Sequence, residues 1–149
     1  MVPLLADYKT IEQCSLEYDP IRGASIEPHI DDCWVWGERI VTINLLADSV
    51  LTMTKYLGDE SKYNLKHVDI PLPNRVADNI CVRIPMPSRS LLVIYGSARY
   101  QWEHCVLRRD ISERRVCIAL REFTKPYLNP NEENGRIILQ AASNFFPVE

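Results

Sequence analysis

Arg115-Val116-Cys117-Ile118-Ala119-Leu120-Arg121 is the stretch from which the fold can be worked out. Side chains on a strand alternate between its faces, so Arg115, Cys117, Ala119 and Arg121 share one face and Val116, Ile118 and Leu120 the other. Two cations flanked by small residues, backed by an aliphatic face, fit the wall of a barrel. The arginines then point into the lumen, where two buried cations need an anion. The aliphatic face is expected to lie outward, under a helix.

The rest of the chain agrees with a mainly β reading. Glycine and proline punctuate short runs rich in Val, Ile and Leu, and helical periodicity is confined to the C-terminal region. Residues 14–18 read as a strand, Asp19-Pro20-Ile21-Arg22-Gly23 as a turn, and Ile26-Glu27-Pro28-His29 as an approach to a site. Residues 39–46 form another strand, and Asp48-Ser49 predicts a tight turn into a hairpin partner over 50–55. From 56 to 79 the composition turns polar, which predicts a mobile insertion of little consequence to the core. Strands follow over 80–84 and 90–95, joined by a turn at 85–89. Ile137, Ile138, Ala141, Ala142, Phe145 and Phe146 recur at helical spacing, predicting an amphipathic helix over 132–146 that covers a sheet.

At 149 residues the chain is read as one domain. A formal charge of −3 supplies no general attraction to a phosphate backbone. No run approaches the ~18 apolar residues of a membrane span, and residues 1–5 lack the basic flank and apolar core of a signal peptide. An intracellular monomer, cytoplasmic and nuclear, is expected. The five cysteines, Cys14, Cys33, Cys81, Cys105 and Cys117, are scattered without a Cys-x-x-Cys pair and are expected to be reduced. Cys105, beside His104, is read as a packed thiol.

Three histidines occur, His29, His67 and His104. His29-Ile30-Asp31 and the distal His104 supply two imidazoles and one carboxylate, the set with which non-haem Fe(II) oxygenases hold iron while leaving positions open. A keto acid can take two of those positions and O2 a third. Arg115, eleven positions beyond His104, offers a fixed fork of donors to the far carboxylate of the keto acid. The spacing therefore points to a 2-oxoglutarate-dependent oxygenase. His67 lies in the polar stretch Tyr63-Asn64-Leu65-Lys66-His67 and is read as a solvated loop residue. Trp34 and Trp36 are candidates for an aromatic wall against a methylammonium group or a stacked base, or are core tryptophans.

These residues carry a family resemblance. The pattern His-x-Asp, distal His, then Arg-x5-Arg is matched in order by His29-x-Asp31, His104 and Arg115-x5-Arg121, and the chain resembles the AlkB-type branch of the Fe(II)/2-oxoglutarate dioxygenases. Leu16-Glu17-Tyr18-Asp19-Pro20, the run from Pro28 through Arg39, and Arg89-Ser90-Leu91-Leu92-Val93 through Arg99-Tyr100-Gln101-Trp102-Glu103-His104 look most like the fourth animal subgroup of that family. The resemblance implies a double-stranded β-helix, or jelly roll. It implies iron held by His29, Asp31 and His104, 2-oxoglutarate paired through its distal carboxylate with Arg115 and through its metal-side carboxylate with Arg121, and a donor from Tyr18.

The reaction so implied is oxidative N-demethylation with O2 as co-substrate. Monomethyl-lysine in a protein such as actin ranks first as the substrate, and N6-methyladenine in DNA second. A jelly-roll binding module, metal-free or loaded with Zn2+, is the alternative of another class, and two lumen-facing arginines speak against it. The superfamily often has Arg-x-Ser where Arg115-Val116-Cys117 stands here, so Cys117 replaces a hydroxyl donor with a weak thiol. Family members carry a substantial segment before the first barrel strand. Only about a dozen residues precede Cys14, so a shortened form is expected, with its core over about 14–123.

Overall fold

The computed structural model describes residues 3–68 and 80–142. Its order is β1 (Glu12–Tyr18), β2 (Ile26–His29), β3 (Trp36–Asn44), β4 (Ser49–Lys55), β5 (Cys81–Met86), β6 (Ser90–Ile94), α1 (Ser97–Tyr100), β7 (Trp102–Val106), β8 (Arg115–Phe123), α2 (Lys125–Leu128) and α3 (Glu133–Ala142). The strands form two antiparallel four-stranded sheets, ordered β1-β8-β3-β6 and β2-β7-β4-β5. This is the jelly-roll arrangement, in which successive strands pass from one sheet to the other. Pro28 and Pro85 lie in β2 and β5, the two edges of the second sheet, where a missing backbone donor leaves no broken ladder.

The core lies between the sheets. Tyr18, Ile40 and Cys117 from one face Leu51, Met53 and Val106 from the other. β8 sits between β1 and β3; Arg115, Cys117 and Ala119 are buried on its inner face, as alternation requires, and Glu122, out of that phase, is buried where it pairs with Arg39.

Two irregularities in the pairing matter for function. Between β2 and β7, Ile26 pairs with Val106 and His29 with His104, so three steps on β2 match two on β7. Because strand faces alternate with period two, Ile26 and His29 would otherwise point to opposite sides. The extra residue turns both toward the lumen. A second bulge lies in β3, where Trp36 pairs with Phe123 and Ile40 with Arg121. There the backbone N–H of Arg39 donates to the Glu122 side chain (3.1 Å), which fills the gap left in the ladder. Gly37 comes so close to β8 that a Cβ would lie 2.7 Å from the Phe123 carbonyl oxygen.

Several expectations are corrected. β3 and β4 are not a hairpin: β3 pairs with β6 and β8, and β4 with β5 and β7. Asn44 makes the crossing possible, since its buried Nδ2 donates to the carbonyls of Ala47 (2.8 Å), Met86 (2.9 Å) and Pro87 (3.0 Å). The described part of the proposed insertion is packed. Leu65, in a 3-10 segment over Lys62–His67, is 4% exposed and joins Ile30, Cys33, Tyr56 and Tyr100 in a second cluster. Residues 69–79 of that stretch lie outside the described residues.

The outer residues Val116, Ile118 and Leu120 are half-buried with no described helix over them, because β8 is flanked by β1 and β3 while α1 rests on β3 and β7. The C-terminal helix is present as α3. Its described turns pack against α2, and Ile137 is 53% exposed. Positions 143–146 of the expected helix lie outside the described residues.

Candidate metal centre

His29 closes β2 and His104 sits in the middle of β7, directly opposite it across the bulged pair, with ring centroids 4.4 Å apart. Asp31 follows in the loop leaving β2. One ligand atom from each of the three falls within 4.8 Å of the others. His29 Nδ1 is 2.7 Å from the Glu27 carbonyl oxygen, a contact that fixes the ring and leaves Nε2 for a metal. Asp31 is 6% exposed. Its Oδ1 accepts from Arg121 Nε at 2.7 Å, while Oδ2, 3.6 Å from His104 Nε2, is buried without a hydrogen-bond partner.

Protonation states suit a cation. Burial, reinforced by His29, pushes His104 down to about 4 despite the opposing pull of Asp31, so the imidazole is neutral near pH 7. Burial alone would raise the Asp31 carboxyl, but Arg121, His104 and Arg99 outweigh it and hold the group below its ordinary value. Neutral imidazole and ionised carboxylate are the forms that bind a metal. A buried carboxylate oxygen without a donor, next to two imidazoles, is a mismatch that a divalent ion resolves. The residues present thus fit iron.

Arg115, at 1% exposed, is among the most buried side chains of the protein. Its Nε donates to Asn44 Oδ1 at 2.8 Å, its guanidinium lies 4.8 Å from the centre of the Tyr18 ring, and Nη2 approaches Met86 Sδ. Nη1 is buried with no partner. Among the described residues no carboxylate pairs with Arg115. A buried unpaired cation is costly, and an anionic ligand removes that cost. The lumen cavity is lined by Tyr18, Arg115 and Arg121 together with the three candidate ligands, so the residues of the partnerless guanidinium nitrogen and the partnerless carboxylate oxygen line one space.

The two arginines of β8 differ in what they already hold. Arg121 Nε is bonded to Asp31 and Nη1 to Glu12 Oε2 (2.5 Å), with the guanidinium 5.6 Å from the centre of the Trp36 ring. Tyr18 is 5% exposed, and burial raises its hydroxyl, so it stays a neutral donor. Burial likewise raises the Cys117 and Cys105 thiols. The five cysteines are free.

The tryptophans separate. Trp36, half-buried against the core, stacks on Phe123 at 5.7 Å. Trp34 is 52% exposed and meets Tyr127 edge-on at 5.6 Å. It lines an exterior cavity of about 300 Å³ with Tyr127, Glu132, Cys33, Thr124 and His67. His67 is exposed.

Sequence reasoning missed Asn44, Glu12 and Arg99. Asn44 left one signal: an amide at a strand position sharing the lumen face with Ile40 and Thr42 is out of keeping with strand preference unless it has partners to bind. Arg99 left none, since its partners are backbone carbonyls.

No family model matches the chain. It is 39% identical to the alpha-ketoglutarate-dependent dioxygenase alkB homolog 4 of Mus musculus over 161 aligned positions, covering 97% of this chain and 52% of that protein. The human protein of the same name is 38% identical, with the same coverage. A DNA N6-methyl adenine demethylase of Caenorhabditis elegans is 35% identical over 131 positions, covering 88% of this chain and 38% of that protein. The chain spans about half the length of the alkB homolog 4 proteins it matches.

Proposed function

The chain belongs to the AlkB-type family of Fe(II)/2-oxoglutarate dioxygenases, and from that premise we propose that it is an oxidative N-demethylase acting on monomethyl-lysine in a protein such as actin. One observation carries the catalytic half of this reading: the partnerless Asp31 Oδ2 and the partnerless Arg115 Nη1 belong to two residues that line the same lumen cavity. One asks for a cation and the other for an anion. Fe(II) held by His29, Asp31 and His104 and 2-oxoglutarate held by Arg115 would meet both demands, and with O2 they would supply the oxidation of an N-methyl group to formaldehyde and the demethylated nitrogen, with succinate and CO2 as co-products.

The protein's part is position, charge and exclusion of water. His29 and His104 present neutral nitrogens from facing strands. Asp31 contributes a negative charge whose second oxygen is pinned by Arg121. Arg115 receives the distal carboxylate of the cofactor, oriented by Asn44 behind it and by the Tyr18 ring. Leu16, Ile40, Leu51 and Val106 wall the lumen and keep it apolar around these groups.

The preference for a protein substrate rests on charge. Trp34, Tyr127 and Glu132 line an exterior cavity that has no Lys or Arg among the described residues of its walls. A carboxylate beside aromatic rings, whose faces attract cations, favours an alkylammonium group and repels phosphate. The basic cluster near 108–115 is partly engaged, since Arg114 pairs with Glu17 and Arg115 is buried. The second reading, methylated DNA, is favoured by the relative named as a DNA N6-methyl adenine demethylase.

Anaerobic Fe(II) with 2-oxoglutarate is expected to give the visible charge-transfer band of this enzyme class, and its absence would favour a binding module. Formaldehyde is then measured against succinate across a salt series, with monomethyl-lysine peptide or methylated actin beside N6-methyladenine DNA. Coupled turnover on protein with little salt dependence supports the proposal. Turnover on DNA alone, falling steeply with salt as phosphate contacts require, replaces it with the nucleic-acid reading.

A further inference from the structure

Arg99 is 2% exposed, yet among the described residues it forms no ion pair. Its donors all turn to one loop. Nη1 donates to the Asp31 carbonyl at 2.9 Å, Nε to Gly37 at 3.1 Å, and Nη2 to Asp32 at 3.3 Å and Trp36 at 3.1 Å. Cys33 Sγ lies 3.5 Å from Nη1. Residues 31–37 thus wrap a single guanidinium, with four backbone carbonyls turned inward onto it.

A buried guanidinium without a carboxylate is costly, and so are inward-facing carbonyls short of donors, although that of Asp32 also accepts from the Trp36 amide and that of Asp31 from the Cys33 thiol. Each solves the other's problem, and the fit of five fixed donors to four carbonyls selects one shape of the loop. That shape bears on the candidate metal centre at two points. The main chain of Asp31 is held by Arg99 while its side chain is held by Arg121, which leaves Oδ2 a single direction in which to point. The main chain of Trp36 is held by Arg99 while its ring lies against the Arg121 guanidinium.

Arg99 is itself fixed from below. It belongs to the single turn of α1, entered through Gly96 at φ +58°, and lies 4.9 Å from the centre of the Tyr100 ring within reach of the second cluster.

We propose that Arg99 is a positioning residue that sets the 31–37 loop, and through it the Asp31 carboxylate, in metal-binding geometry before any metal arrives. The inference rests on the metal-centre reading above. Its distinctive consequence is that the loop is ordered in the metal-free protein, and that loss of Arg99 weakens metal binding while leaving the Arg115 anchor alone.

Three measurements decide it. In the metal-free wild-type protein, the amides of Cys33 and Trp36, bonded to Tyr63 and Asp32 carbonyls, are expected to be protected from hydrogen exchange as strand amides are. Exchange at coil rates until metal is added would overturn the proposal. Arg99→Lys and Arg99→Gln are next titrated with Mn(II), read by the EPR signal of the free ion. A ~10–100-fold rise in Kd is expected for Gln and a smaller one for Lys. An unchanged Kd in a folded variant would overturn the proposal. Finally, 2-oxoglutarate affinity at saturating Mn(II) is expected to stay at the wild-type value. A parallel loss of both affinities that tracks a falling Tm would show a merely structural role. If neither variant folds, the exchange experiment decides alone. If wild-type protein binds no Mn(II), the metal-centre reading fails, while the loss or retention of this protection in Arg99→Lys and Arg99→Gln still reports on Arg99.

Discussion

Arg121 Nε donates to Asp31 Oδ1 at 2.7 Å, and that bond leaves Oδ2 of the same buried carboxylate without a donor, 3.6 Å from His104 Nε2. The arginine divides the two oxygens between a structural role and a ligand role. Replacing Arg121 with Gln is therefore expected to weaken Fe(II) or Mn(II) binding by ~10–100-fold. His29→Ala, Asp31→Ala and His104→Ala should each abolish it. His67→Ala, which changes an exposed residue away from the three ligands, should leave metal binding at the wild-type level. Equilibrium titration of the five variants checks the order, and full metal affinity in His104→Ala would remove the triad.

Arg115→Lys keeps the charge but loses the planar fork that pairs with a carboxylate through two parallel bonds. The expected result is a rise in KM for 2-oxoglutarate of ~10-fold or more, since one hydrogen bond to a charged group contributes ~1.5–3 kcal/mol. Metal affinity should be unchanged. Steady-state kinetics coupled to succinate formation gives the comparison, and an unchanged KM would mean that the cofactor is anchored elsewhere.

Acid should destabilise the metal-free protein in a defined window. An unfolded histidine titrates near ~6.5, whereas burial holds His104 at about 4. Between those values the unfolded chain takes up a proton that the native state refuses. The contribution of His104 is therefore complete above pH ~6.5 and is lost as the pH falls toward ~4, by on the order of a few kcal/mol. Asp31, held below its ordinary value, adds a further loss at lower pH. Urea midpoints from pH 7.5 to 4 should fall in wild type and much less in His104→Gln. Parallel curves would show that another group is responsible.

Leu65→Ala is expected to cost ~2–5 kcal/mol, the range for a buried leucine. Leu65 packs in one cluster with Ile30 and Cys33, on either side of Asp31, and the neighbouring Tyr63 carbonyl accepts from the Cys33 amide (2.9 Å). The variant should lose metal affinity as well as stability. Chemical denaturation with a parallel Mn(II) titration measures both, and a loss below ~1 kcal/mol would return residues 56–68 to the status of a dispensable loop.

The residues that bear charge in the lumen were legible because strand alternation is local: the spacing from Arg115 to Arg121 places both on one face wherever the strand lies. What His29 faces depends on a bulge against β7, and no property of Ile26-Glu27-Pro28-His29 reveals that one residue there is left unmatched. The supposed hairpin over β3 and β4 failed for a similar reason. A short polar link usually joins neighbours, but here Asn44 satisfies three carbonyls and lets the chain leave its sheet. Residues 56–68 looked dispensable because they are polar, although Tyr56 and Leu65, with Tyr63 and Val68 beside them, dock the stretch. Arg99 was hidden because a cation held by carbonyls has no acidic partner to give it away.

The placement of β8 between β1 and β3 has a consequence for how the protein is made. β1 has only β8 as a neighbour, and its Glu12 pairs with Arg121 more than a hundred residues later. During synthesis, β1 waits with an open edge until β8 emerges from the ribosome. Asp31 likewise waits for Arg121, and β3 for its second neighbour. Closure of the barrel and assembly of the charged lumen are thus one late event, set by contacts remote in sequence and correspondingly slow. A nascent chain halted before residue 115 holds His29, Asp31 and His104 but lacks the strand whose arginines hold Asp31 and complete the lumen.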